Sequence, residues 1–299
     1  MSKLKNLSII MVALMQCSLT ACGQKQEMTL VNEQSFSPAG AQSIRVDYDK
    51  DDITIHESTD GQITLKEYMD IDKSSYYANI ENVNGELIIN EGKRPGGDKL
   101  GCKVELYLPA GLAADVFIHA TDSTVQTQIG TPLAEVHFET TQGNLALSDL
   151  EAVSLTVSSA NGTVKLDKVT ADTITLDTSN ADVDMNGVSG AITYISTNGN
   201  LTMRESVGSG SFHASSDGTF DIAYSEITGS ISVYTHNSKI LFAAPSSAAF
   251  IFTATSKNGD IQTAYPDVTV NGGTASGSVG GNPQYIVDLE TRNGDIEAK

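Results

Sequence analysis

What most constrains this chain is a short phrase that, from Asp122 to Asn258, returns every 18 to 21 residues. It reads "SANGTVKLDKV", then "TSNADVDMNGV", then "TNGNLTMRESV". Anchored on its polar residue, the series runs Asp60, Asn84, Asp122, Gln142, Asn161, Asn180, Asn198, Asp217, Asn237, Asn258 and Asn293. Three places after each anchor stand Ile63, Leu87, Val125, Leu145, Val164, Val183, Leu201, Phe220, Ile240, Ile261 and Ile296, all large and apolar. A repeat near 20 residues is the mark of a solenoid, because one such unit cannot bury its apolar side without neighbours.

Within each unit the apolar residues alternate with polar ones. Val183 and Met185 flank Asp184, and Val164 and Leu166 flank Lys165. Period two makes these strands with one face in. A second strand precedes each anchor, with Leu155 and Val157, Ile174 and Leu176, Ile192 and Tyr194, and Ile231 and Val233 facing in. Leu150, Val169, Val188, Val207 and Ile227 form a third apolar column between the strands. The steps Asn161-Gly162, Asn198-Gly199, Asn258-Gly259 and Asn293-Gly294 are the structural turn positions, read as bends that tolerate positive φ. A lone Asn-Gly would suggest a hairpin, but the recurrence favours a coil. The fold expected is all-β: a parallel solenoid, right-handed and β-helix-like by the general rule for crossovers, with about 19–20 residues per coil.

Two places before the anchors, Ser58, Thr140, Ser159, Thr178, Ser196, Ser215, Thr235, Ser256 and Thr291 form a hydroxyl column. It is read as structural, bonding along the stack.

The flanks divide the chain. Lys3 and Lys5 precede an apolar run from Leu7 to Leu19 that ends in "LTAC". This resembles a lipoprotein signal peptide over residues 1–21 with Cys22 as the lipidated residue. That resemblance implies a diacylglycerol on Cys22 and a partner in the membrane through that lipid anchor. Residues 22–35 read as a tether and 36–299 as one solenoid domain. In that domain 36–120 form irregular N-terminal coils, with a loop at 92–101. Residues 121–299 form regular coils, interrupted by a Gly-rich loop at 271–283.

From Cys22 onward the chain carries 16 basic and 37 acidic side chains, a formal charge of −21. Such a surface repels nucleic acid. Cys102 is left without an internal partner, so no disulfide staples the domain. With no tryptophan and few aromatics, the core is expected to be long and thin. Asp295 and Glu297 on the last strand read as charges that guard an exposed solenoid edge against stacking, which predicts a monomer.

The order of a strand-rich start, "VELYLPAG" at 104–111, serial "NG" coils and "TRNGDIEAK" at 291–299 is similar to the putative-adhesin family of bacterial β-solenoid domains, long catalogued as a domain of unknown function. The resemblance implies a β-helix-like fold, a location in the cell envelope, on the cell surface or its periplasmic face, and an adhesive role. It supplies no catalytic residues.

Chemistry sought in the residues is thin. Asp182 with Asp184, or Asp167 with Asp172, could pose as a hydrolase pair, but turns and solvated strand faces explain them more simply. His56, His119, His137, His213 and His236 fall at different coil positions. His119 and His137 with Glu139 read as a surface group rather than a metal site. "DYDKDD" at 47–52 lacks the spacing of a calcium loop. Outward Thr156, Thr175, Thr193, Ser232 and Thr253 form a column like that of ice-binding solenoids, with Phe212 interrupting it. No enzyme, cofactor or metal is expected. The reading is a non-catalytic surface-binding or adhesive module for an unknown glycan or protein. The alternative is an envelope scaffold or stress-sensing component acting through a membrane partner, and a polysaccharide-active enzyme ranks third.

Overall fold

A computed structural model describes residues 27–95, 100–130 and 132–299. The signal peptide, Cys22 and the first residues of the expected tether lie outside the described residues. The chain begins with β1 (Thr29–Phe36), β2 (Ser43–Tyr48), β3 (Asp52–Ser58), β4 (Ile63–Met69), β5 (Asn79–Val83), β6 (Glu86–Asn90) and β7 (Cys102–Pro109). A regular series follows: β8 (Asp115–Ala120), β9 (Thr124–Gln128), β10 (Leu133–Thr140), β11 (Asn144–Ser148), β12 (Glu151–Ser159), β13 (Thr163–Asp167), β14 (Thr170–Thr178), β15 (Asp182–Asn186) and β16 (Ser189–Ser196). Next come the long strands β17 (Leu201–Ala214) and β18 (Phe220–Thr235), which serve both sides of a coil, and then β19 (Ile240–Ala243). The chain closes with β20 (Phe250–Ser256), β21 (Ile261–Thr263), β22 (Val268–Asn271), β23 (Thr274–Val279), β24 (Tyr285–Thr291) and β25 (Ile296–Ala298).

The strands form two parallel stacks with the core between them. The front stack runs β6, β2, β8, β10, β12, β14, β16, the second half of β17, the second half of β18, β24 and β20. The back stack runs β7, β3, β9, β11, β13, β15, the first halves of β17 and β18, β19, β25 and β21. Eleven layers at about 4.8 Å make a rod roughly 50 Å long. The architecture is therefore the parallel β-solenoid that the period implies.

All eleven residues three places after an anchor are buried, from Ile63 at 0% exposure to Ile261 at 8%. From Val125 onward the nine share one continuous back-stack column, with Val164 beside Val183, Val183 beside Leu201 and Leu201 beside Phe220, whereas Ile63 lies on antiparallel β4 and Leu87 on front-stack β6. Leu150, Val169 and Val188 are buried as expected, but in the β17 layer Ser206 is the buried residue and Val207 is only half-buried.

The bends owe more to close approach than to positive φ. Gly162 and Gly199 do have φ of 102° and 132°, whereas neither Gly259 nor Gly294 is in the left-handed region. At all four, an added Cβ would collide with a backbone carbonyl of the adjacent layer. The asparagines form a ladder. Asn180 Nδ2 donates to Asn161 Oδ1 at 3.2 Å and Asn198 Nδ2 to Asn180 Oδ1 at 3.0 Å. Asn293 Nδ2 donates to Asn237 Oδ1, and Asn258 Nδ2 to Asn293 Oδ1, both at 2.7 Å.

That last pair of bonds shows what the period hid: the stack does not follow the chain at either end. Coil β2–β3 sits between β6–β7 and β8–β9, and coil β24–β25 sits between β18–β19 and β20–β21. Asp295 and Glu297 therefore do not guard an edge. Asp295 Oδ1 accepts from Asp260 N–H at 2.9 Å, and Glu297 pairs with Lys239 at 3.1 Å.

Antiparallel strands cover the ends instead. β4 pairs antiparallel with β7, β1 with β4, and β5 with β6. Residues 29–35 of the expected tether are thus a paired strand. Asn84-Gly85 is a true hairpin turn, with φ of 54° and 88°, the primed geometry that suits strand twist. The expected loop at 271–283 contains β23, which pairs antiparallel with β20 and carries buried Ala275. Its glycines mark crossings as well as turns, since a Cβ at Gly277 would strike the carbonyl of Asp267.

Candidate functional site

The front stack presents its outward residues as a flat face. One column holds Thr156, Thr175, Thr193, Ser211, Ser232, Asp288 and Thr253 in register. Phe212 does not interrupt it: that ring points inward at 1% exposure, and Ser211 takes the outward place. Counting from Asp217 misplaced this layer by one residue, because the preceding bend carries one residue more than its neighbours. For the same reason Ala214, not Ser215, occupies the buried hydroxyl column. Ser58 stands instead on back-stack β3, and the buried Thr178 and Thr235 hydroxyls have no partner among the described residues, while others of the column bond to nearby backbone. Thr140 Oγ1 accepts from Gly143 N–H at 2.9 Å, and Ser196 Oγ donates to the Asn198 carbonyl at 2.7 Å.

Beside the outward hydroxyls runs a second column of Ile195, His213, Tyr234 and Glu290. The His213 and Tyr234 rings stack at 4.8 Å with planes 18° apart, and Ile195 is 47% exposed. On the other flank are Ser154, Thr173, Ala191, Ser209 and Ser230, with Ile286 after them.

Where these columns cross β16 to β24 the face dips into a groove of about 500 Å³, lined in part by Thr193, Ser211, Ser230, Ser232, Ile286 and Asp288. Small residues open it. Beneath it Gly210, in the inward register of buried Ile192 and Ile231, leaves room for the Phe212 ring, which a Cβ there would meet at 2.5 Å. A bulge in β18 sets Gly229 against Ser209, and Ser230 Oγ accepts from Ile286 N–H at 3.2 Å. Asp288 accepts from Thr253 Oγ1 at 2.6 Å. Across β12 to β24 these three columns hold Asp177, Asp288 and Glu290 but no Lys or Arg. The groove can receive hydroxyl-bearing, neutral or cationic groups, and has nothing to neutralise an anion.

Of the other residues weighed from the sequence, His119, His137 and Glu139 line one small surface pocket of about 130 Å³ with Arg45 and Phe117, and the rest do not converge. Asp182 Oδ1 accepts from Asn200 N–H at 3.0 Å, Asp184 lies between Lys165 and Thr202, and Asp167 accepts from Asn186 Nδ2 at 2.8 Å. His119 pairs with Asp47 at 3.3 Å and stands beside Glu139, whereas His137 faces Phe117. His56 stacks on Tyr107, and His236 lies 3.2 Å from Arg292. The carboxylates of 47–52 point apart, since Asp51 is buried while Asp52 caps Thr124 N–H at 2.8 Å. Among the described residues no group of three His, Cys, Asp or Glu could hold a metal ion.

A buried ionic cluster went unread in the sequence. Arg94, in the expected loop, reaches Asp51 at 2.8 Å and Glu67 at 2.9 Å, and Glu91 lies at 3.6 Å. Glu67 is fully buried and also accepts from Tyr48 Oη at 3.1 Å, Ala78 N–H at 2.8 Å and Asn32 Nδ2 at 2.8 Å. Burial raises the Asp51 and Glu91 carboxyls above their usual range and pushes the Cys102 thiol up. The signal was present: Glu67 shares the inward period of Ile63, Leu65 and Met69. Every partner is spoken for, so the cluster is a clamp on the N-terminal end rather than a reactive site.

No curated protein matches the sequence. Similar solved structures include a putative adhesin from Bacteroides fragilis NCTC 9343, at 13% identity over 93% of this chain and 100% of that chain, with a TM-score of 0.44. Another is a putative adhesin from Parabacteroides distasonis ATCC 8503, at 15% identity over 92% and 98%, with a TM-score of 0.41. A putative cell adhesion protein from Clostridium sporogenes ATCC 15579 matches at 13% identity over 91% and 99%, with a TM-score of 0.25. No helix among the described residues is long and apolar enough to cross a membrane. Residues 41–299 match the Toastrack family, DUF4097, and the chain belongs to it.

Proposed function

We propose that this protein is a lipid-anchored, non-catalytic binding module of the bacterial cell envelope, adhesin-like in role, whose front face binds neutral or amino-bearing glycans. One observation carries the reading: ranks of outward Ser and Thr, set beside the His213 and Tyr234 rings, converge on a groove without a Lys or Arg. Hydroxyls and Asp288 offer hydrogen bonds to sugar hydroxyls, and the rings and Ile286 offer apolar ledges to the sugar faces. The proposal is of the same class as the adhesin description of the solved proteins above, but it rests on the face itself.

A glycan array probed with the chain from Cys22 onward tests it. Binding should fall on neutral and amino sugars for Thr193→Trp, which fills the groove, and for Tyr234→Ala, with melting temperature unchanged. Preference for sulfated or uronic glycans, or binding that survives both changes, would refute the assignment. Capture of an envelope protein instead of any glycan would favour the scaffold or sensing role. The anchor is tested separately: Cys22→Ala should abolish fatty-acid labelling and release the protein from membranes.

A further inference from the structure

Large apolar residues lie exposed where the chain enters the rod. Met28 is 40% exposed, Leu30 45% and Ile71 43%. They share one corner. Leu30 stands opposite Tyr68, and Thr29 opposite Met69, which brings Met28 alongside Asp70. A Cβ on Gly101 would touch both Asp70 and Met28. Lys103 Nζ sits 4.3 Å over the Tyr68 ring, and Lys73 Nζ sits 4.8 Å over the Tyr76 ring, just past Ile71. Exposed aliphatics ringed by Tyr and Lys are the composition of a membrane–water interface, where the rings and long stems sit at headgroup depth.

The chain outside the structure says what covers this corner. Five residues lie between Cys22 and Met28, and six steps of about 3.5 Å reach no more than about 20 Å. We infer that the corner formed by Met28, Leu30 and Ile71 is a membrane-seating surface that rests on the lipid to which Cys22 is tied. The inference builds on the anchor proposed above. Asp70 and Asp72 flank Ile71, so the lipid it suits is zwitterionic rather than anionic. Seated this way, the rod stands on its N-terminal end. The groove, which starts six layers up the front stack, is then held about 30 Å from the surface.

The chain has no tryptophan, so a single introduced one reports its own surroundings. Ile71→Trp and, at the far end, Asp267→Trp are each coupled through Cys22 to a maleimide lipid in phosphatidylcholine vesicles, some bearing brominated acyl chains. The coupling makes the result independent of whether cells lipidate Cys22, and half-buried Cys102 is replaced by Ser in every chain so that Cys22 alone couples. Ile71→Trp should shift to the blue and lose intensity to the bromines, while Asp267→Trp does neither. Equal and undiminished emission from both positions would overturn the inference, as would quenching at Asp267→Trp alone. Replacing both Met28 and Leu30 with Ser should weaken the quenching at Ile71→Trp without changing the melting temperature, which separates seating from folding.

Discussion

The middle of the rod and its two ends obey the same packing rule but not the same chain order. From β8 to β19 each coil lies on the coil before it, so residues 19 apart in sequence are neighbours in space. At the ends one coil is inserted between two others. Residues 285–298 separate the coil of 231–243 from that of 250–263, and residues 43–58 separate 86–109 from 115–128. The core is continuous through both regimes, with Ile240 beside Ile296 and Ile296 beside Ile261. The difference teaches that a solenoid's inward columns fix its cross-section, while its order of stacking is decided by what closes the ends.

The largest effect should come from removing an inserted coil. Deletion of 284–299 strips a strand from between two layers in each stack, exposing both β18–β19 and β20–β21. It should destabilise the protein more than any single substitution, and hydrogen exchange should rise in both coils. Exchange confined to β20–β21 would mean the coil is terminal after all.

In the middle, Val183→Asp should cost several kcal/mol by burying a charge among stacked layers, while the outward Asp184→Ala stays within about 0.5 kcal/mol. Denaturant titration of the two compares inside with outside, and equal losses would put the register wrong. At the N-terminal end, Arg94→Ala leaves Glu67 buried without its charge partner and should cost about 3–5 kcal/mol. Its exchange should be confined to β1, β4 and β7, whereas a loss spread along the rod would contradict a local clamp.

The smallest effect is one of pH. Asp51 and Glu91 hold protons more tightly in the folded state because burial disfavours their charge. Their contribution is complete below the ordinary carboxylate range near pH 4 and is lost as pH rises through the raised values. The clamp should therefore be no weaker at pH 5 than at pH 7, and Asp51→Asn should flatten the dependence. A melting curve that falls steeply between pH 7 and pH 5 for this end alone would contradict the assignment.

Periodicity made the cross-section legible: Val125, Val164, Val183 and Ile240 were placed inward by spacing and lie there. Stacking order was not legible, because Asn293-Gly294 fits the ladder equally well after Asn258 or before it. Asn84-Gly85 looked like one more bend, and only its partner strand β5 reveals a hairpin. The groove depends on one extra residue before Asp217 and a bulge at Gly229, and both change register without changing the pattern of residue types. Glu67 was visible in its period, but its partner Arg94 comes from a stretch that carries no period at all.

The inserted C-terminal coil is tested most directly by disulfide trapping on the outward back face, in a Cys102→Ser chain lacking Cys22. Leu241 and Glu297 are register partners, as are Gln262 and Glu297. Adjacent layers put Cα atoms about 4.8 Å apart, within disulfide reach, and alternate layers about 10 Å, beyond it. Leu241→Cys with Glu297→Cys should oxidise to an intramolecular bond, and Leu241→Cys with Gln262→Cys should not. The reverse result would contradict the insertion and return the stack to the order of the chain.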